Sequence, residues 1–358
     1  EENYRSTQPI LDLANAVIER APERYTKVLR TTREQGMRPL LVRADTENDQ
    51  SRFVAQRILE LREEGVPLDE IAVLFRSSFH SFDLEIELTR ADIPFVKRGG
   101  FRFIESAHVK DLLAHLRVLV NPRDVVSWLR VLCLLDGVGP KKAAEIAAFV
   151  EAAGRGAGAV AEFPRKTDGL AALGRLLKML AEEAVAPGDA VQHVVAYYTP
   201  ILRTQYADDH PKRERDLDHL ATIAARYRSF DSMLSDFALE PPSDSVGGQL
   251  ADDEGEGRLV LSTIHSAKGL EWHSVFLLWA AEGKFPSAFG GFGDDEIEEE
   301  RRLCYVAVTR AKDQLYLSYP AQYYDRVAGL SFARPTRFVE DLPEAVLAPV
   351  AVVEESAL

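Results

Sequence analysis

Two stretches of alternating strand and helix signal, separated by about 150 residues in which convincing strands vanish, constrain this fold more than any other feature. In the first stretch, Arg38–Ala44, Ile71–Phe75 and Ile93–Lys97 are short β-rich runs, while Asp49–Glu64 and Phe82–Arg90 repeat apolar residues at helical spacing. That rhythm predicts parallel strands with helices packed on their faces. In the second, Arg258–Ser262 and His273–Leu278 read as buried strands, Glu296–Val308 as a helix and Gln314–Ser318 as a closing strand. Neither stretch has enough strands to bury a core alone, so the two must share one sheet. The expectation is an α/β parallel-sheet domain made of residues 1–98 and 257–342, a mostly α-helical insertion at 99–256, and a tail at 343–358.

Within the insertion, Val109–Val120, Val125–Leu134, Lys141–Ala153, Leu170–Ala184 and Arg213–Tyr227 read as helices. Gly154–Gly158 reads as a flexible joint and Pro241–Gly257 as an acidic linker. With 46% apolar and 28% charged residues, the 358-residue chain is an ordinary globular one. No apolar run approaches the ~20 residues a membrane span needs, and no signal-peptide pattern opens the chain, so a cytoplasmic location without a membrane partner is expected. Cys133 and Cys304 both fall in apolar helical patterns and are expected as core residues. The net charge of −14 argues at first sight against nucleic acid. The acids, however, concentrate at 252–256, 294–300 and 340–355, whereas basic residues cluster at 97–102, 141–142 and 212–215. Local patches must decide.

Several segments carry chemistry. Thr263-Ile264-His265-Ser266-Ala267-Lys268-Gly269-Leu270-Glu271-Trp272 follows a strand, and a polar, glycine-containing loop at a strand's C-terminal end is where open α/β sheets place ligands. In Glu299–Ala311, Leu303, Val306 and Ala307 share an apolar helical face, while Arg310 can project past the last turn. An arginine there offers fixed donors to phosphoryl oxygens, or else simply answers the helix dipole. Ile71–Ser78 ends in Arg76 and Ser78, and Arg102 follows Gly99-Gly100; polar ends and glycines suit a groove that tracks a phosphate backbone. In Leu135–Ala143, Gly137 and Gly139 precede a helix start flanked by Lys141 and Lys142. This is a helix–hairpin–helix pattern for phosphate, though a tight interhelical turn with a first-turn proline satisfies it equally. Asn3-Tyr4-Arg5-Ser6, by itself, would mean little.

Together these segments resemble UvrD/Rep/PcrA-type superfamily 1 DNA helicases, from Asn3 to the Pro335–Pro343 segment. The loop from Thr263 matches that family's T-x-H-x-A-K-G-L-E followed by F or W at every diagnostic position, and the Glu299–Ala311 string matches its final motif. The resemblance implies a RecA-like domain, of the P-loop NTPase type but without its P-loop, interrupted by the helical insertion. It implies that Arg5 and Arg310 clamp the γ-phosphate of ATP, that Glu271 binds the ribose side, and that Lys268 and Gly269 shape that loop. It also implies single-stranded DNA contacts from Arg76, Ser78, Arg102, Thr263 and His265, and duplex contacts from Gly137, Gly139, Lys141 and Lys142.

The departures matter as much. No G-x-x-x-x-G-K followed by S or T occurs; Gly283-Lys284-Phe285 lacks the leading glycine and the hydroxyl residue. The chain also begins Glu1-Glu2-Asn3 without an initiator methionine, so we expect a piece cut from a longer protein. The expected activity is the second motor half of a 3′→5′ DNA helicase acting on single strands and single/double-strand junctions, with repair proteins as further partners. ATP and Mg²⁺ belong to the parent protein, whose first RecA-like domain supplies the metal ligands; this piece alone should hold neither, offer no metal site of its own, and hydrolyse no ATP. The other readings are a non-catalytic DNA- or protein-binding module, and the helicase portion of a recombination nuclease–helicase.

Overall fold

A computed structural model describes residues 3–21, 28–33, 35–98, 103–164, 167–183, 185–238, 257–287, 293–325 and 329–352. The chain separates into two units, Glu1–Phe101 with Glu240–Leu358, and Arg102–Leu239. The first unit opens with α1 (Gln8–Glu19), β1 (Leu40–Ala44), α2 (Glu47–Glu63), β2 (Ile71–Phe75), α3 (Phe82–Arg90) and β3 (Phe95–Arg98). The second contains α4 (Ala107–Val120), α5 (Val125–Cys133), α6 (Pro140–Ala153), α7 (Asp168–Glu182), α8 (Pro187–Gln205), α9 (His210–Ala224) and α10 (Phe230–Ala238). The first then resumes with β4 (Leu259–Thr263), β5 (Trp272–Leu277), α11 (Asp294–Val308), β6 (Ala311–Pro320), β7 (Gln322–Asp325), β8 (Gly329–Phe332) and β9 (Ala348–Ala351).

Seven strands form one sheet in the order β3-β4-β2-β5-β6-β1-β9, every pair parallel. The shared sheet is visible in β2, which lies between strands from the far end of the chain: Val73 is opposite Leu261 on one side and Phe276 on the other. Covered on both faces and both flanks, β2 is buried at all five positions, which is why it reads I-A-V-L-F without alternation. One face packs Leu74, Val275 and Leu277 against Ile10 and Val17 of α1 and Ala307 of α11. The other packs Val73, Phe75 and Phe276 against Val54 and Ile58 of α2 and Leu84 of α3. Each of the Val, Leu, Ile and Phe side chains among these, taken fully from water, contributes roughly 1.5–3 kcal/mol. The start of α2 is set by a capping box, in which Thr46 Oγ1 accepts from the Asp49 amide at 3.2 Å and Asp49 accepts the Thr46 amide at 3.0 Å.

One connection positions everything that follows. β4 and β5 flank β2 and run parallel to it, so residues 264–271 must return from the C-terminal end of β4 to the start of β5. Parallel crossovers ordinarily need a dozen or more residues, usually as a helix. This one uses the eight between Thr263 and Trp272, with buried Ile264 and Ala267 pinning it to the sheet face.

Four expectations need correction. The strand at Gln314–Ser318 does not close the sheet; β6 is interior, between β5 and β1. The edge is β9, drawn from residues expected as a tail, and its Pro349 fits because β9 pairs on one side only. The joint at Gly154–Gly158 is packed: Gly154 (φ +62) ends α6, and a 3-10 helix over Ala157–Glu162 buries Ala157, Ala159 and Val160. Cys304 is buried but Cys133, at the end of α5, is exposed. The linker at Pro241–Gly257 lies, except for Gly257, outside the described residues. In the second unit Trp128, Val131, Ile146, Val150, Leu173 and Leu177 form the core, and no strand occurs among its described residues.

Candidate functional site

The Asn3–Ser6 segment docks on the start of β6 and carries Arg5 to the loop before β5. Asn3 Oδ1 accepts the amides of Arg5 (2.8 Å) and Ser6 (3.0 Å), turning the chain. Ser6 Oγ donates to the Ala311 carbonyl at 2.6 Å and the Thr7 amide to the Lys312 carbonyl at 3.0 Å, which latches the turn onto the start of β6. Arg5 is thereby aimed at the loop before β5. Its Nε donates to Glu271 as an ion pair, and its Nη1 reaches the Thr309 carbonyl at 3.5 Å.

Arg310 enters the same place from the end of α11. Its guanidinium donates to three oxygens: the Val306 carbonyl (3.0 Å), the Leu270 carbonyl (2.9 Å) and Thr309 Oγ1 (3.1 Å). Two of these belong to its own helix end, so Arg310 does answer the negative end of the helix dipole, through the Val306 carbonyl and the Thr309 hydroxyl. The third ties it to the crossover. Among the described residues, no carboxylate is one of its hydrogen-bond partners. Burial, and after it the nearby Arg5 charge, hold the Arg310 pKa below the ordinary arginine value. Two guanidinium groups held this close disfavour one another, and an anion between them would relieve both. Lys312 adds a third cation, 3.8 Å from Glu271 and 3.3 Å from Glu70. Glu271 thus joins the expected pair of arginines. Lys268 is exposed and makes no ion pair among the described residues, while Gly269 (φ +89) supplies a bend that L side chains rarely adopt. Beside Glu271, an open cavity of about 390 Å³ lies over β3 and β4, lined by Arg98, Arg258, Asp69, Val96 and Val260.

The other expected residues lie at the opposite ends of the strands. Thr263 ends β4, its hydroxyl bonded to Ser266 Oγ at 2.9 Å, and His265 is exposed. Ser78 begins a 3-10 turn after β2, and its carbonyl accepts from Lys97 Nζ at 3.3 Å. Lys97 is buried, 2.6 Å from Glu85 and stacked over the Phe82 ring at 4.9 Å. Arg76 is not a free cation; it pairs with Glu300 of α11 through contacts of 2.7 and 2.8 Å. Arg102 lies outside the described residues. One sequence loop, Thr263–Glu271, therefore runs between the two strand-end edges of the sheet, the one where β2 and β4 end and the one where β5 and β6 begin. In the helical unit, Gly137 (φ +72) and Gly139 lead into α6 with Pro140 in its first turn, Val138 is buried beneath, and Lys141 and Lys142 make no ion pair among the described residues.

Sequence reasoning missed Lys312, Glu70, and the Lys97–Glu85 pair. A period of two along β6 would have flagged Lys312, two residues after Arg310. The others depend on pairing between distant strands. Among the described residues, no group of three or more His, Cys, Asp or Glu could hold a metal ion, and no helix is long and apolar enough to cross a membrane.

The chain is similar to known proteins over nearly its whole length. The family model described as the UvrD-like helicase C-terminal domain matches residues 1–153 and 196–322. The ATP-dependent DNA helicase PcrA of Staphylococcus epidermidis is 30% identical over 97% of this chain and 50% of its own length. The ATP-dependent DNA helicase UvrD1 of Mycobacterium tuberculosis is 32% identical over 97% and 49%, and DNA helicase II of Escherichia coli 33% over 96% and 50%. The chain spans about half the length of these relatives. It belongs to the UvrD-like helicase C-terminal domain family and corresponds to the C-terminal half of a UvrD-type helicase.

Proposed function

We propose that this chain is the half of an ATP-dependent 3′→5′ DNA helicase that senses the terminal phosphate of ATP at one edge of its sheet and grips single-stranded DNA at the other. The observation that carries this reading is the convergence of Arg5 and Arg310 on the loop that also holds Glu271. Fixed guanidinium donors suit the charge that spreads over phosphoryl oxygens during transfer, and here they are oriented before any phosphate arrives. The crossover at 264–271 supplies the coupling. Closing on ATP pulls Leu270 and Glu271, and the same eight residues begin at Ile264, directly after Thr263, and include His265. A pure binding module has no use for such a cluster.

The chain holds only the terminal-phosphate end of the site. The remaining phosphate cradle and the metal ligands are assigned to the first motor domain of the parent protein, and no step here runs through the metal. In the helical unit, the Gly137–Lys142 turn is assigned to the duplex ahead of the single strand, at the junction. The cytoplasm and repair-protein partners complete the proposal.

The test uses the full-length helicase. Arg310→Ala should lower the kcat of DNA-stimulated ATP hydrolysis by about 10³-fold, while single-stranded DNA affinity stays within about twofold. Because Arg310 also caps α11, a melting curve must accompany it. A kcat that survives the substitution in a folded variant overturns the assignment. So does ATP hydrolysis by this chain alone.

A further inference from the structure

Glu271 is held from two sides. Its Oε2 is paired with Arg5, while its Oε1 lies 3.8 Å from Lys312 Nζ. Lys312 is itself bridged at 3.3 Å to Glu70 Oε2, which also accepts the His273 amide at 3.2 Å. Lys312 sits two residues beyond Arg310, and its backbone carbonyl anchors the segment that carries Arg5. Four side chains thus form a row, Arg5–Glu271–Lys312–Glu70, along the edge where the phosphate is to arrive.

This row poses a chemical problem that the arginine assignment leaves open. A phosphate that takes Arg5 side-on, through Nε and one Nη, must displace Glu271 from Nε. A carboxylate deprived of its partner beside an incoming polyanion is strongly disfavoured, since like charges at a few ångströms repel and the pair is only partly solvated. Some cation must receive Glu271 as Arg5 leaves it. We propose that Lys312 is that receiver: a positioning residue that captures the Glu271 carboxylate when ATP claims Arg5, and so lowers the cost of arming the arginine. Lys312 is built for the exchange. It already lies 3.8 Å from Oε1 of the same carboxylate, its flexible four-carbon stem can follow a carboxylate that turns, and Glu70 keeps its ammonium at the cluster until then. No bond is made or broken in the exchange; one ion-pair partner replaces another. The inference rests on the phosphate-sensing reading above and assigns Lys312 no contact with the nucleotide.

The experiment measures steady-state ATP hydrolysis on single-stranded DNA by the full-length helicase, with ATP as the varied substrate. Lys312→Gln should raise the KM for ATP about tenfold with kcat within about twofold, the signature of a lost contribution to ground-state binding. Lys312→Arg should restore the KM. In a Glu271→Gln background no carboxylate needs a receiver, so Lys312→Gln should then change the KM by less than about twofold. An equal KM effect in both backgrounds overturns the proposal, because Lys312 would be acting on the nucleotide directly. A kcat loss as large as that of Arg310→Ala overturns it for the same reason. Failure of the arginine assignment shows separately, as an Arg310→Ala variant that keeps its kcat whatever Lys312 does.

Discussion

The two edges of the sheet hold their charges in opposite ways. At the edge where β5 and β6 begin, Arg5, Lys312, Glu271 and Glu70 form a connected row at the surface, and Arg310 is held by three oxygens. At the edge where β2 and β4 end, His265 stands exposed, and an ion pair, Lys97–Glu85, lies buried beneath the Ser78 turn. A site for one concentrated anion needs cations oriented in advance, and neighbouring carboxylates offset the repulsion of holding them together. A track for a repeating backbone needs exposed donors on a rigid frame instead. The comparison therefore assigns the buried pair to stiffness and the surface row to switching.

The largest expected effect tests the stiffness. Lys97→Met takes the ammonium at 2.6 Å from the buried Glu85 carboxylate, which keeps the Ser81 hydroxyl at 2.8 Å. Removing one member of a buried pair typically costs about 3–5 kcal/mol. Urea unfolding should show a loss of that size. Replacing both members, Lys97→Met with Glu85→Leu, should recover most of it, because well-packed apolar residues often match a buried pair. A single-variant loss below about 1 kcal/mol would place Lys97 among the surface cations and erase the contrast between the edges.

A smaller effect tests whether one crossover joins the edges. Gly269 has φ +89, and a Cβ built there meets nothing within 4 Å, so Gly269→Ala strains only the backbone. The cost should be about 1–2 kcal/mol of stability. DNA stimulation of ATP hydrolysis should fall more than the unstimulated rate, since the strain lies between the edges and in neither. Gly139→Ala, at φ −86 and equally uncrowded, is the comparison variant and should cost less. Equal losses of stimulated and unstimulated rates would mean that the loop belongs to the nucleotide edge alone.

Legibility followed locality. β2 and α3 match their sequence readings residue for residue, because an unbroken apolar run and a clean helical period each act within one element. α8 was missed because Pro200 lies inside it and Pro187 at its start, so the helical pattern reads as broken. β9 was missed because a proline argues against a strand unless the strand is known to be an edge. The hairpin of β7 and β8 carries too few residues for a pattern. For the site, the arginines and Glu271 were legible as motif positions. That Thr263 and Glu271 stand at opposite edges was not, since it follows from β2 lying between β4 and β5. The pairing of Arg76, expected as a DNA contact, was not legible because Glu300 is 224 residues away in sequence.

The smallest effect is the sharpest on the comparison. His265 is exposed, and its ring makes no hydrogen bond or ion pair among the described residues, so removing it disturbs no frame. If the C-terminal edge meets single-stranded DNA, the ring has a base face or a phosphate oxygen to contact. His265→Ala should then weaken affinity for a single-stranded oligonucleotide about fivefold, near the lower end of what one aromatic contact contributes. The melting temperature should not move, and the KM for ATP without DNA should stay within about twofold. Lys97→Met should also weaken DNA binding, but only together with stability. The two variants thus separate contact from frame at the same edge. Unchanged DNA affinity in His265→Ala would move the track off β4 and leave the Ser78 turn to carry it.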